Sequence, residues 1–132
     1  MFTIQKLKEA HSRVKTGVDF PRYIQEIKKL GLIQYEFFVK NGAIAYYGAN
    51  HQLTANPIYD ELAIATTSSP KALQHTISIH QQGQTDFLTF CDQAAKAGVE
   101  KWVIDTEKML CTYYDLTGNE MVTEPIPQDD YE

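Results

Sequence analysis

Two cysteines, four histidines and a pair of strand carboxylates are the side chains whose types could support chemistry in this 132-residue sequence. Cys91 and Cys111 could act as a thiol nucleophile or a redox pair. Neither belongs to a CxxC, and no basic run lies beside either to favour a thiolate. A metal site would need histidines at i, i+4 on one helix, or paired cysteines. His75 and His80 are five apart and fall on different sides of a helix, while His11 and His51 stand alone. His80 continues an apolar stripe with Leu73 and Ile77, the usual setting of a hydrogen-bonded core imidazole. Gln81, Gln84 and Asp86 crowd it with polar groups, so an enzyme built here would use His80 with Asp86 or Cys91. Nucleophile elbows, phosphate-cradling glycine loops and dinucleotide fingerprints do not occur. The residues predict no cofactor, no metal and no catalytic set.

The most informative anomaly is a strand face. Glu36 and Asp105 alternate away from the predicted helix layer, among Tyr47, Tyr114, Phe38, Ala45 and Val103. That mixture is too apolar for a freely solvated surface. Two related tyrosines could stack a flat ligand or anchor a partner. A homodimer interface, or cover by the loop expected at 48–61, would explain the same residues.

The elements that must carry these side chains come from a repeat. A shift of 67 residues aligns 19–47 with 86–114 without a gap, with identities at Asp19/Asp86, Phe20/Phe87, Lys29/Lys96, Gly31/Gly98, Tyr46/Tyr113 and Tyr47/Tyr114. Tyr23/Phe90, Leu32/Val99, Tyr35/Trp102 and Phe37/Ile104 match in class. Cys91 and Cys111 fall opposite Ile24 and Ile44, which makes them small buried hydrophobes. Each unit reads helix, helix, strand, strand. Thr3 and Ser69-Pro70 start the first helices, and Gly17 and Gly83 stop them. Asp19 and Asp86 can cap the second helices, whose stripes are Phe20, Tyr23, Ile24, Ile27 and Phe87, Phe90, Cys91, Ala94. Gly31 and Gly98 end these.

Asn41-Gly42 predicts a two-residue hairpin turn pairing Val39 with Ile44 and Phe37 with Tyr46. The second hairpin, around Glu107-Lys108-Met109, would set Ile104 opposite Tyr113 and Val103 opposite Tyr114. Further strands are expected at 62–66 and 120–124. The fold class is α+β: an internally duplicated antiparallel sheet with helices on one face, in one domain (1–127) of two pseudo-repeats (about 3–66 and 69–124), followed by a frayed acidic tail (128–132).

Composition narrows the function classes. With 43% apolar and 22% charged residues the chain is neither disordered nor fibrous, and no apolar run is long enough to span a membrane. The net charge of −5 disfavours general nucleic-acid binding, although residues 1–40 carry eight basic against four acidic residues. No signal-peptide pattern opens the chain, and cysteines are few, so a cytoplasmic location is expected.

The runs His80-Gln81-Gln82-Gly83-Gln84-Thr85-Asp86-Phe87, Gly98-Val99-Glu100-Lys101-Trp102-Val103 and Cys111-Thr112-Tyr113-Tyr114-Asp115, with Ala10-His11-Ser12 and Asp19-Phe20-Pro21, resemble the YbcV-like family of small bacterial proteins. Members are sometimes labelled phage envelope proteins. The resemblance extends to about Pro127 and implies no activity, cofactor or catalytic residue. Three functions follow in order. The first is a non-enzymatic, homodimeric binding module. The second is a small-molecule sensor similar in plan to the tandem modules of gyrase-inhibitor-like proteins. The third is an enzyme using His80.

Overall fold

The computed structural model describes residues 2–14 and 19–126. The order helix, helix, strand, strand, strand occurs twice. The first half holds α1 (Ile4–His11), α2 (Phe20–Lys29), β1 (Gln34–Phe38), β2 (Ile44–Tyr47) and β3 (Gln52–Ala55). The second holds α3 (Pro70–Gln81), α4 (Phe87–Lys96), β4 (Val99–Asp105), β5 (Leu110–Asp115) and β6 (Glu120–Pro125). All six strands form one antiparallel sheet, ordered β3-β2-β1-β4-β5-β6, with the helices on one face.

The helix boundaries follow their capping residues. The Thr3 hydroxyl accepts from the Lys6 amide at 3.2 Å, Ser69 from Ala72 at 3.2 Å, and Asp86 from Thr89 at 2.8 Å. Asp19 departs from expectation and makes no side-chain cap bond. Its backbone is already helical (φ −85°, ψ −8°), whereas a capping side chain is aimed by an extended backbone, and Pro21 lacks an amide to cap. Gly83, Gly31 and Gly98 leave their helices at positive φ. The stop expected at Gly17 and the tail 128–132 lie outside the described residues.

Both hairpin registers differ from the expected ones by two residues. Phe37 lies opposite Ile44 and Tyr35 opposite Tyr46; Trp102 lies opposite Tyr113 and Ile104 opposite Cys111. A shift of two keeps every side chain on its face, so the alternation was read correctly and the turn length was not. The first turn holds four residues, 39–42, closed by Phe38 N–H to Ala43 O at 2.9 Å and Gly42 N–H to Phe38 O at 2.8 Å. Contacts far along the chain lengthen it. Val39 N–H donates to Glu100 O at 3.0 Å, and Asn41 O accepts from Ile58 and Tyr59. The second turn, 106–109, is held in the same way. The buried Thr106 hydroxyl lies 2.6 Å from Leu32 O, and the Asp105 carboxylate accepts from the Glu107 and Lys108 amides, both at 2.9 Å. Met109 takes φ 54° at the position where the first turn has Gly42 at φ 77°.

The third strand of the first half is β3, inside the segment expected to be a loop, and 62–66 forms no strand. Gly48 N–H to His51 O closes a tight turn that returns the chain along β2. Beyond it, the Leu62 and Ala65 amides bond to Lys40 O and Ala95 O, outside any ladder, while Leu62 and Ile64 pack on the core. His51, which stood alone in the sequence, is half-buried. Its Nε2 lies 3.1 Å from Phe2 O and its ring is edge-on to Phe2 at 4.8 Å, tying the chain start to the β2–β3 turn.

Gly31 and Gly98 share a position and a conformation (φ 100° and 96°) but not their surroundings. A Cβ at Gly31 would meet nothing within 4 Å; one at Gly98 would lie 2.7 Å from Thr67 O and 3.0 Å from Ser68 Cα. Gly31→Ala should therefore cost only the backbone penalty of about 1–2 kcal/mol, and Gly98→Ala about 2 kcal/mol more, because main chain must move. Urea unfolding of the two variants measures the difference; equal losses would refute it.

Candidate functional site

Where β1 meets β4, the sheet carries a floor of aromatic side chains on its helix-facing side. Phe37 and Trp102 lie directly opposite one another and stack, with centroids at 4.3 Å and planes 9° apart. Tyr35 and Tyr113 extend the floor to either side. Phe87 stands edge-on to Phe37 at 5.3 Å, and Phe90 packs on Trp102 at 5.4 Å. Between this floor and the two helix pairs lies a cavity of about 280 Å³. It is walled by α1 and α2 on one side and by α3 and α4 on the other. Gln81 is its exposed wall residue, with Val14 and Pro21 half-buried.

The phenol groups around the floor are held neutral. Burial pushes Tyr23, Tyr35 and Tyr113 well above the usual tyrosine range, and Tyr46 up to about 12. Three further groups bring polarity to the wall. His11 on α1 is edge-on to Tyr23 at 5.3 Å and to Phe87 at 5.5 Å, which spans the two halves. His80 stacks on Phe90 at 4.5 Å, with Nδ1 at 3.1 Å from both Thr85 O and Thr85 Oγ1. A carbonyl only accepts, so Nδ1 carries the proton and Nε2 is left as an acceptor. Glu124, on the edge strand β6, lies opposite the buried Cys111 and so faces the helices; Gln81 Nε2 donates to its Oε1 at 3.2 Å. Burial lowers the pKa of both histidines and raises that of Glu124.

Of the ligand or interface candidates named in the sequence (Tyr47, Tyr114, Glu36, Asp105, Phe38 and His80), only His80 lines this cavity. Glu36 does join Tyr47 and Tyr114, but on the opposite face of the sheet. Its Oε1 accepts from the Tyr47 hydroxyl at 3.3 Å, its Oε2 from Lys101 Nζ at 3.1 Å, and Lys101 lies 5.6 Å from the Tyr114 ring centroid. Lys101 was missed, although it alternates in step with Val103 and Asp105. Asp105 is not in this cluster, because its carboxylate is committed to the 106–109 turn. Phe38, half-buried, shares the face next to Lys101. The loop 48–61 supplies β3 to the sheet edge. Cys91 and Cys111 are buried, and burial lifts the Cys91 thiol to about 12, which is unsuited to a nucleophile. Among the described residues no three potential ligands converge as a metal site, and no helix is long and apolar enough to cross a membrane. Sequence reasoning missed His11 and Glu124. An isolated glutamate at an inward position of a strand was the available signal.

Residues 8–125 match the family described as "Protein of unknown function (DUF1398)". An uncharacterised protein of Mycobacterium bovis, Mb2035, is 37% identical over 60 residues, 46% of this chain and 37% of that protein. A Mycobacterium tuberculosis protein, Rv2012, matches to the same extent. The uncharacterised Escherichia coli protein YcgX is 28% identical over 115 residues, 86% of each chain. The match thus spans little more than a third of the mycobacterial relatives' length.

The half-buried imidazoles of His11 and His80 give folding a pH dependence of definite sign. A histidine whose folded pKa lies below 6.5 leaves the unfolded state binding more protons as the pH falls below that value. Their stabilisation is complete above pH 6.5 and is lost as pH falls through the folded values. Glu124, with a raised pKa, acts oppositely, from its ordinary 4.5 upward. Between pH 7.5 and 6 the unfolding free energy should decrease, by at most about 1.4 kcal/mol per histidine per pH unit. The double variant His11→Gln/His80→Gln should flatten that slope. Denaturant unfolding across the interval checks it, and an unchanged slope would count against the assignment.

Proposed function

This chain belongs to the DUF1398 family, and we propose that it is a small-molecule-binding protein whose site is the cavity at the seam of its two halves. The observation that carries the reading is a cavity of about 280 Å³ lined by aromatic faces and a few convergent polar groups. Ligand sites have this character, and the volume suits a ligand of one or two rings. A wall of rings including Phe37, Trp102, Phe87 and Phe90 suits an aromatic molecule. The site differs from the Tyr47/Tyr114 face expected for a sensor similar in plan to gyrase-inhibitor-like tandem modules, and lies instead on the helix-facing side of the sheet. The matching registers and turn conformations 67 residues apart support descent from one duplicated unit. Kinship with YbcV-like proteins and a cytoplasmic location accord with this reading, and neither names a ligand.

A homodimeric interaction module using the outer face ranks second. Glu36, Lys101 and Tyr47 there already satisfy one another, which favours a solvated surface. Enzymatic use of His80 ranks last. Its Nδ1 is engaged by Thr85, and the nearby Asp86 carboxylate is spent on capping α4.

Trp102, the only tryptophan, lies in the cavity wall and reports on occupancy. Titration with a panel of one- and two-ring compounds should give saturable changes in its fluorescence for at least one member. At a hundredfold excess over Kd that compound should stabilise the fold by about 2.7 kcal/mol. Ile77→Phe, which adds a ring within the cavity, should abolish the response while leaving the protein folded. A panel that leaves both fluorescence and stability unmoved would refute the reading.

A further inference from the structure

We propose that the cavity selects aromatic ligands bearing a positive charge, with the Glu124 carboxylate as counter-ion; this rests on the reading of the cavity as a ligand site. Among the described residues lining it there is no Lys or Arg, so the one full charge of either sign at neutral pH is that of Glu124. Gln81 is its only hydrogen-bond partner among those residues, and it engages a single oxygen. A half-buried carboxylate left with an acceptor oxygen gains most from a cationic donor. The rest of the wall has the same preference. Phe37, Phe90 and Trp102 line the same wall, and aromatic rings attract a cation that approaches their faces. His80, fixed with its proton on Nδ1, offers a lone pair at Nε2, and burial keeps both His80 and His11 from becoming competing cations. An anion would find no cationic partner in this wall and would be repelled by Glu124. An inward charge also protects an edge strand from pairing with another chain. That role needs no ligand, and a binding experiment separates it.

Three probes share a ring and differ in the head group: 2-phenylethylamine (an ammonium at pH 7.5), 2-phenylethanol and phenylacetate. Titrated against the full chain by Trp102 fluorescence and calorimetry, the ammonium should bind about tenfold tighter than the alcohol, and phenylacetate most weakly. Glu124→Gln keeps the shape and the bond to Gln81. It should bring ammonium and alcohol to within about twofold while retaining the alcohol's wild-type affinity, which also shows that the variant is folded. Equal binding of ammonium and alcohol by the wild type, or a preference that survives Glu124→Gln, would overturn the charge assignment alone. Failure of all three probes to bind would overturn the ligand-site reading and this inference with it.

Discussion

Glu36 and Val103 pair across β1 and β4, and they are themselves 67 residues apart, so the local twofold relating the halves passes between them. This antiparallel seam is what the remaining architecture requires. Without it each half would be a three-stranded sheet ending in an apolar, unpaired edge, the arrangement most prone to pairing with foreign strands. With it, Phe37 meets Trp102, Tyr35 meets Ile104, and the two core faces become one floor. The outer edges that remain are the four-residue β3 and β6, which carries Glu124 on its inner face and ends at Pro125. Both are devices that limit edge pairing.

The seam also explains why there is a cavity. The helix pairs pack within their own halves, and the layer above the seam is bridged by rings such as His11 and Phe87. Rings on a pleated floor are rigid and cannot collapse into residual space as an aliphatic chain can. As a dry void, 280 Å³ would cost on the order of 7 kcal/mol at about 24 cal/mol per Å³, comparable to the whole stability of a typical domain. A void of that cost persists where water or a ligand fills it. His80, Gln81 and Glu124 supply the polar partners that either occupant needs.

Local signals made much of the fold legible in the sequence. Period-3.6 stripes located the helices, helped by the caps at Thr3, Ser69 and Asp86 and the positive-φ glycines Gly31, Gly83 and Gly98, and alternation assigned the faces of both hairpins correctly. The two registers were not legible, because Asn41-Gly42 reads as a two-residue turn only while Ile58, Tyr59 and Glu100 are out of view. The second turn depends likewise on Leu32, far along the chain from Thr106. Strand β3 was hidden because Gly48 to His51 lacks a strong turn dipeptide. The site was the least legible part. Residue types drew attention to the polar outer face around Glu36, whereas the cavity is a missing volume on the inner face. Pattern reports which face a residue occupies and is silent on whether the space above it is filled.

The symmetry of the seam divides the cavity into two kinds of component. Its walls repeat: Phe20 answers Phe87, Tyr23 answers Phe90, and Tyr35 answers Trp102. Its polar groups do not. His80 lines the second-half wall where Val14 lines the first, and the place of Glu124, opposite Cys111, is held in the first half by Ala55, opposite Ile44. A container needs only volume and apolar surface, which two halves of like plan provide. Recognition of a ligand's orientation requires that its two ends meet different chemistry, which an unbroken twofold cannot provide. The departures from the repeat at His80, Gln81 and Glu124 all lie on the α3–β6 side of the cavity, and it is these departures that make a symmetric shell able to hold a molecule in one direction.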